Sequence, residues 1–381
     1  VVKQRTCEIG GAGLAGLAMA AGLAQNGWKV VLHERSSELR MFGAGIWVWE
    51  SGLKVLEMLG ALEHSTRRSR VIREWRVADE RGGVLARIPF NEDERLFLPL
   101  REDLYDALIA RCRHHGVDIR TSSEAVAMRS DGTLVMANGE ERKADLVIAA
   151  DGANSKLRES VGATRIRDFG LEAGIRLLID QRPEDPTDVV TEYWNGPYRL
   201  LYNPCSDTKN YIFLGAPLND ERASNLPIDR DYWAELFPAV ASYARRFEVD
   251  GRWDRIGAVR CSQWVQGRTA IIGDAAHGLP PNLGQQAMTA FVNAMAMVAL
   301  LEENSDPDDI PEVLTRWESQ QRPLADHVQA WSYVYGMVVS HWPENLISLR
   351  GDALRMLSGS RWFREGITRG GFVVPPGYRK P

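Results

Sequence analysis

Six residues near the N-terminus, Gly11-Ala12-Gly13-Leu14-Ala15-Gly16, constrain this chain more than any others. They follow a short run, Cys7-Glu8-Ile9, that reads as a strand, although the polar Glu8 weakens it. An Ala/Leu-rich stretch from Leu17 to Ala24 comes next and reads as a helix that stops at Asn26-Gly27. Lys29 to Glu34 is a second strand, so the segment is one βαβ unit. Each glycine then has a steric role: Gly11 permits the tight turn, Gly13 lets the backbone approach a pyrophosphate, and Gly16 lets the helix pack closely on the strands. The helix N-terminus presents free N–H groups to phosphates. Glu34, ending the second strand, stands where a carboxylate accepts hydrogen bonds from a ribose. These features predict a dinucleotide site, and Glu34 does not choose between FAD and NAD.

Composition sets the outer bounds. A length of 381 residues predicts about two domains. A net charge of −5 speaks against a nucleic-acid partner. The four cysteines, Cys7, Cys112, Cys205 and Cys261, are widely spaced without a CxxC pair, which predicts a reducing, cytoplasmic setting. The apolar stretch from Leu14 to Ala24 is too short to span a bilayer, so no membrane partner is expected. His114-His115 reads as a solvated helix end, and no zinc-like spacing occurs, so no metal site is expected. Twelve tryptophans suggest aromatic-lined cavities or a large interface, with ordinary core packing an equal alternative.

Farther along, leucines at helical spacing predict one helix over 51–63, and Gly82-Gly83 predicts a hairpin within 71–98. Arg101 opens a helix that runs to His115. Strands follow over 117–120, 125–127 and 133–136, and a buried strand over 145–150 runs into Asp151-Gly152. From 166 to 251 strands succeed one another without a strong helix, which predicts an antiparallel sheet in a second domain. A strand over 269–272 then ends at Gly273-Asp274, and helical pattern resumes from Gln285. The expected fold is α/β. A Rossmann-like nucleotide-binding domain comprises 1–70, 95–165 and 252–300. An inserted antiparallel-sheet substrate domain comprises 71–94 and 166–251, and a helical C-terminal region covers 301–381.

Four features therefore stand in order: the glycine cluster with Glu34-Arg35, Arg101 opening a helix, Asp151-Gly152 after a strand, and Gly273-Asp274 after a strand with Pro281 and Gly284-Gln285 following. This order resembles the single-component FAD-dependent aromatic hydroxylases, the p-hydroxybenzoate hydroxylase-like family. Phe42-Gly43-Ala44-Gly45-Ile46, Tyr202-Asn203-Pro204-Cys205 and Val292-Asn293-Ala294 look closest to the bacterial oxygenases of pyridine-ring carboxylates. The resemblance implies bound FAD, NADH or NADPH as a transient reductant, and O2 with a small aromatic substrate. The implied reaction is hydroxylation through a flavin C4a-hydroperoxide, with a hydroxypyridine carboxylate as the expected substrate. A phenol or nitrophenol hydroxylase, or an FAD reductase or oxidase without oxygen insertion, are the alternatives. The chemistry is flavin-borne, so no side chain is assigned as catalytic.

The family also implies residue roles. Gly11, Ala12, Gly13, Leu14, Ala15, Gly16, Glu34, Arg35 and Val126 would hold FAD. Arg101 would neutralise its pyrophosphate, and Asp151 would line that region together with the nicotinamide approach. Asp274 would bind the ribityl or pyrophosphate region. Pro281, Gly284 and Gln285 lead into a helix whose N-terminus would face the flavin ring. Plainer readings stand beside these: a turn pair for Asp151-Gly152, a helix cap for Asp274 and a core histidine for His277. The chain departs from the family at Gln286 (commonly Gly), Met288 (commonly Asn) and Asn293 (commonly Asp), all beside the expected ring. Arg176 and Arg199 lie inside apolar strands, where a buried guanidinium needs an anion, either a substrate carboxylate or a structural acid. Trp47, Tyr202, Tyr211 and Phe213 are candidate ring walls, with core packing favoured for any one of them. Trp331, Tyr333, Tyr335 and Trp342 in the C-terminal helices would cap the pocket or form a homodimer face.

Overall fold

A computed structural model describes residues 4–39, 44–162, 164–247, 252–304 and 306–380, with the backbone alone for 164–172 and 344. Phe42 and Gly43 of the second glycine loop lie outside the described residues. The chain opens with β1 (Thr6–Gly10), α1 (Leu14–Gln25) and β2 (Lys29–His33), as the sequence reads. Glu8 does not weaken β1, because its Oε2 meets His33 Nε2 on β2 at 2.5 Å. Helix α1 is buried along almost its whole length, which suits an element closed in on every side.

Residues 51–63 do not form one helix. α2 (Glu50–Met58) ends before Gly60, whose φ of +66° turns the chain, and a short helix follows over Leu62–Thr66. The hairpin β3 (Glu74–Asp79) and β4 (Val84–Pro89) precedes α3 (Arg101–His114), β5 (Asp118–Arg120) and β6 (Leu146–Ala149). Next come β7 (Thr164–Asp180), β8 (Val189–Asn195), β9 (Tyr198–Pro204), β10 (Lys209–Pro217), β11 (Trp253–Cys261) and β12 (Thr269–Ile271). The helices α4 (Asp274–His277), α5 (Gln286–Glu303), α6 (Ile310–Ser340), α7 (Ile347–Ser358) and α8 (Arg361–Phe372) complete the chain. None of the described helices is long and apolar enough to cross a membrane.

Two sheets organise these elements. In the six-stranded sheet, β12, β6, β1, β2 and β5 run parallel in that order, and Val265–Gln266 adds an antiparallel edge. The seven-stranded sheet has the order β11-β7-β10-β9-β8-β3-β4 and is antiparallel except where β8 runs parallel to β3. That parallel pair joins residues 74–79 to the later strands, and β11 extends the same sheet past residue 251.

The pleat of this sheet sorts its side chains. Ile175, Leu177, Leu200, Tyr202, Ile212 and Leu214 pack outward on Trp233 and Phe237. Their alternating neighbours Leu178, Leu201, Tyr211 and Phe213 pack inward on the main core.

Met288 also finds its place in the fold. It is fully buried and fills the notch at Gly52 of α2, where a Cβ would overlap its sulfur. Gly52→Ala is expected to destabilise the protein by about 1–3 kcal/mol through overpacking. Met288→Ala should offset much of that loss in the double variant. Additive effects in urea-unfolding cycles would show that the two positions do not share this space.

Candidate cofactor and active site

The β1–α1 turn is built around backbone contact. Gly11 has φ of +108°, and a Cβ there would overlap the Ala150 carbonyl at the end of β6. A Cβ on Gly16 would overlap the Gly11 carbonyl, so Gly16 permits the turn itself as much as helix-to-strand packing. Gly13 meets nothing within 4 Å of its missing Cβ. A cleft of about 250 Å³ opens there, lined by Gly11, Gly13, Glu34, Arg35, Asp151 and Gly152. The Glu34 carboxylate is aimed by two backbone donors, Ala12 N to Oε2 at 3.1 Å and Ser36 N to Oε1 at 2.9 Å. Asp151 spends its carboxylate on the turn that follows, accepting from Ser155 Oγ, Lys156 N and Leu157 N.

Three lining residues carry no signal in the motif. His33, Ser123 and Glu124 also face the cleft, and Ser123 Oγ lies 2.8 Å from His33 Nδ1. Ala125 lines the cleft on the strand that bears the half-buried Val126.

The second motif folds onto the first. A Cβ on Gly273 would lie 2.8 Å from Ala15 Cβ, so the turn after β12 rests on the first turn of α1. Arg158 binds the region together, donating to the Ala275 and Ala153 carbonyls. Asp274 opens α4 with an exposed side chain and accepts from Gln286 Nε2 at 2.7 Å. Arg101 opens α3, and its Nε is buried without a partner among the described residues. Burial lowers its pKa, opposed by Asp274 and reinforced by the positive charge of Arg176. A pyrophosphate or another anion would relieve this strain. The open glycine turn, the polar cleft, the aimed Glu34 and the orphaned guanidinium nitrogen together fit an FAD molecule.

Beyond this lies the inner face of the seven-stranded sheet. Trp47 packs on Gly284, where a Cβ would come within 2.9 Å of the indole, and donates to Asn203 Oδ1 at 2.8 Å. Trp75 meets Trp47 edge-on at 5.2 Å, and its indole N–H is buried without an acceptor. Arg176 lies 5.7 Å over the Phe213 ring, hydrogen-bonds Tyr211, and among the described residues meets an acid at Asp254, 3.5 Å away. Tyr211 faces Arg176, Arg101 and Arg199, yet burial still raises its pKa.

Three candidate residues have side chains engaged elsewhere, Tyr202 and Arg199 in the plainer of the two ways the sequence left open. Tyr202 points to the outer face, stacked on Tyr243 at 4.7 Å and donating to the Pro186 carbonyl, because strand alternation puts it opposite Tyr211. Arg199, 2% exposed, is spent on Glu192 at 2.6 Å and on Asn282 at 2.5 Å, so its anion is structural. Glu192 also accepts from Tyr335 Oη at 2.7 Å. The Gln285 amide turns away to the Ile367 carbonyl, so only its backbone can serve a cofactor. Pro281 is an exposed residue of the turn before α5.

His277 is a buried core histidine, with Nε2 3.0 Å from Asn293 Nδ2. Asn in place of the family's Asp at 293 leaves a neutral partner beside a ring that burial holds uncharged.

Residues 4–332 match the FAD binding domain family. A 2-heptyl-3-hydroxy-4(1H)-quinolone synthase of Mycobacteroides abscessus is 36% identical, over 93% of this chain and 95% of that protein. A 3-amino-4-hydroxybenzoate 2-monooxygenase of Streptomyces cremeus is 30% identical, over 84% and 83%. The solved tetrameric form of 2-methyl-3-hydroxypyridine-5-carboxylic acid oxygenase superposes with a TM-score of 0.85 at 35% identity, covering 98% of this chain and 97% of that one.

Gly16→Ala is expected to abolish FAD retention, read from the visible flavin absorbance of the purified protein. Retention at the wild-type level would disprove the steric account of the turn. His277 gives a second test. Burial lowers its pKa from 6.5 to about 4. Between those values the unfolded chain takes up a proton that the native state refuses. Stability therefore falls as pH drops through this window, by up to about 3 kcal/mol from this group. His277→Gln should flatten that part of the pH dependence in urea unfolding. An unchanged slope would assign it to other groups.

Proposed function

The chain belongs to the family of FAD-dependent aromatic-ring monooxygenases, and from that premise we propose that it hydroxylates a nitrogen-bearing aromatic ring of the hydroxypyridine class, held through an anionic oxygen by Arg176. The observation that carries this reading is the state of Arg176. It faces Tyr211 and Phe213 on the inner sheet face, and among the described residues its one contact to an acid is long, whereas Arg199 is neutralised by Glu192. The names of two relatives support an anionic ring, one an aminohydroxybenzoate and the other a hydroxypyridine carboxylate.

When bound, FAD supplies the redox and oxygen-transfer chemistry, and NADH or NADPH is the reductant typical of the family. The chain's own residues bind and orient. Gly11 to Gly16 and Glu34 take the adenosine side, and Arg101 and Asp274 take the other end. Tyr211 keeps its proton, because burial raises its pKa, so its O–H donates to the substrate oxygen while Arg176 supplies the charge. Trp75 offers a second N–H donor. Trp47 and Phe213 flank the ring, and their packing excludes water.

A second reading is an uncharged alkylquinolone, favoured by the internal neutralisation of Arg199 and by the apolar inner face. Substrate-stimulated NAD(P)H oxidation separates the two when read with a product heavier by one oxygen atom. Arg176→Ala should raise KM for a hydroxypyridine carboxylate by about ten- to a hundredfold while FAD stays bound. An unchanged KM, or turnover of alkylquinolones alone, would overturn the anion reading.

Self-association and a cytoplasmic location belong to the same proposal. Exposed apolar side chains gather toward the C-terminus, among them Val334, Leu349, Met356 (77% exposed) and Trp362 (66%). A second copy would cover this face. Light scattering should show an oligomer that Met356→Glu with Trp362→Glu reduces in mass. An unchanged mass would remove this face from the interface.

A further inference from the structure

Gln286 is the departure that reaches the cofactor side of the fold. Met288 is absorbed by Gly52 and Asn293 by His277, but Gln286 bridges two parts of the second motif. Its Nε2 donates to Asp274 Oδ1 at 2.7 Å and to the His277 carbonyl at 3.1 Å. Its Oε1 is buried with no partner among the described residues. A glycine at this position would leave Asp274 free to rotate. The amide instead fixes one carboxylate oxygen and leaves the other with no side-chain clamp. A buried carbonyl oxygen without a donor is costly, and a donor brought by a ligand would remove that cost.

We propose that Gln286 is a positioning residue for FAD. It clamps Asp274 so that the outer carboxylate oxygen accepts from the ribityl chain, and it offers its own Oε1 to a hydroxyl of the same chain. The inference rests on FAD binding alone and is independent of the substrate reading. Facing Gln286 are Asp274 and His277 of α4, with Arg101 of α3 near Asp274, and Arg322 and Asp326 of α6 acting on His277 from behind.

The test is FAD affinity of the deflavinated full chain, measured by flavin fluorescence across pH. Gln286→Ala should weaken FAD about tenfold, the value of one neutral hydrogen bond to the ligand. Gln286→Glu should weaken it further at pH 8, where two carboxylates oppose each other. Its affinity should recover as pH falls through the titration of the new carboxyl, because the neutral acid again donates to Asp274. The wild type should show no such recovery. Wild-type affinity in both variants would overturn the proposal. So would equal losses in both without recovery on acidification, which would mark Gln286 as mere packing. An altered flavin midpoint potential with unchanged affinity would move the contact to the ring and overturn the ribityl assignment.

Discussion

The structure depends on the contact between two backbone turns at opposite ends of the sequence. Gly11 lies against the end of β6, and Gly273 lies against Ala15. Neither approach leaves room for a side chain. Strands β1, β6 and β12 run parallel and adjacent, so their C-terminal turns open on the same edge of the sheet. That edge is where ligands bind in open α/β sheets, and the helix after β1 adds its N-terminal dipole there. Glu34 and Asp151 line the cleft at this edge, and Asp274, opening the helix after β12, acts on the buried Arg101.

The second constraint is the pleat of the seven-stranded sheet. Alternation decides which side chains meet the nucleotide half and which form the outer cluster. It turns Tyr211 and Phe213 inward and Tyr202 outward, although all three look alike as aromatic residues in apolar strands. The same face carries an unequal pair of arginines. Arg199 belongs to a network with Glu192, Asn282 and Tyr335 that links the sheet, the turn before α5 and α6. Breaking such a buried pair is far costlier than the net worth of the pair suggests. Arg176 is less buried, and its contact to Asp254 is longer, at 3.5 Å.

The three family departures show how neighbouring positions on one helix diverge in role. On α5, Gln286 points toward Asp274, Met288 into α2, and Asn293 toward His277. Each has a partner that compensates for it: an acid for the amide, a glycine notch for the thioether, and a neutral imidazole for the carboxamide. Departures of this kind alter local contacts while the backbone path is kept.

By itself, the sequence determined the βαβ unit, the nucleotide turn, the acid at Glu34, the buried strands and the order of motifs that identifies a flavin enzyme. These depend on short-range sterics and periodicity, which a local stretch encodes. It also located Arg176 and Arg199 as cations needing anions. The tertiary structure alone decided that Arg199 received a structural anion, because Glu192 meets it only after two strands pair in one register. It likewise decided that Tyr202 faces outward, that Gln285 serves α8, and that His33 and Ser123 join the cleft. Burial and partnership are properties of chain segments brought together across long separations, and no local pattern carries them.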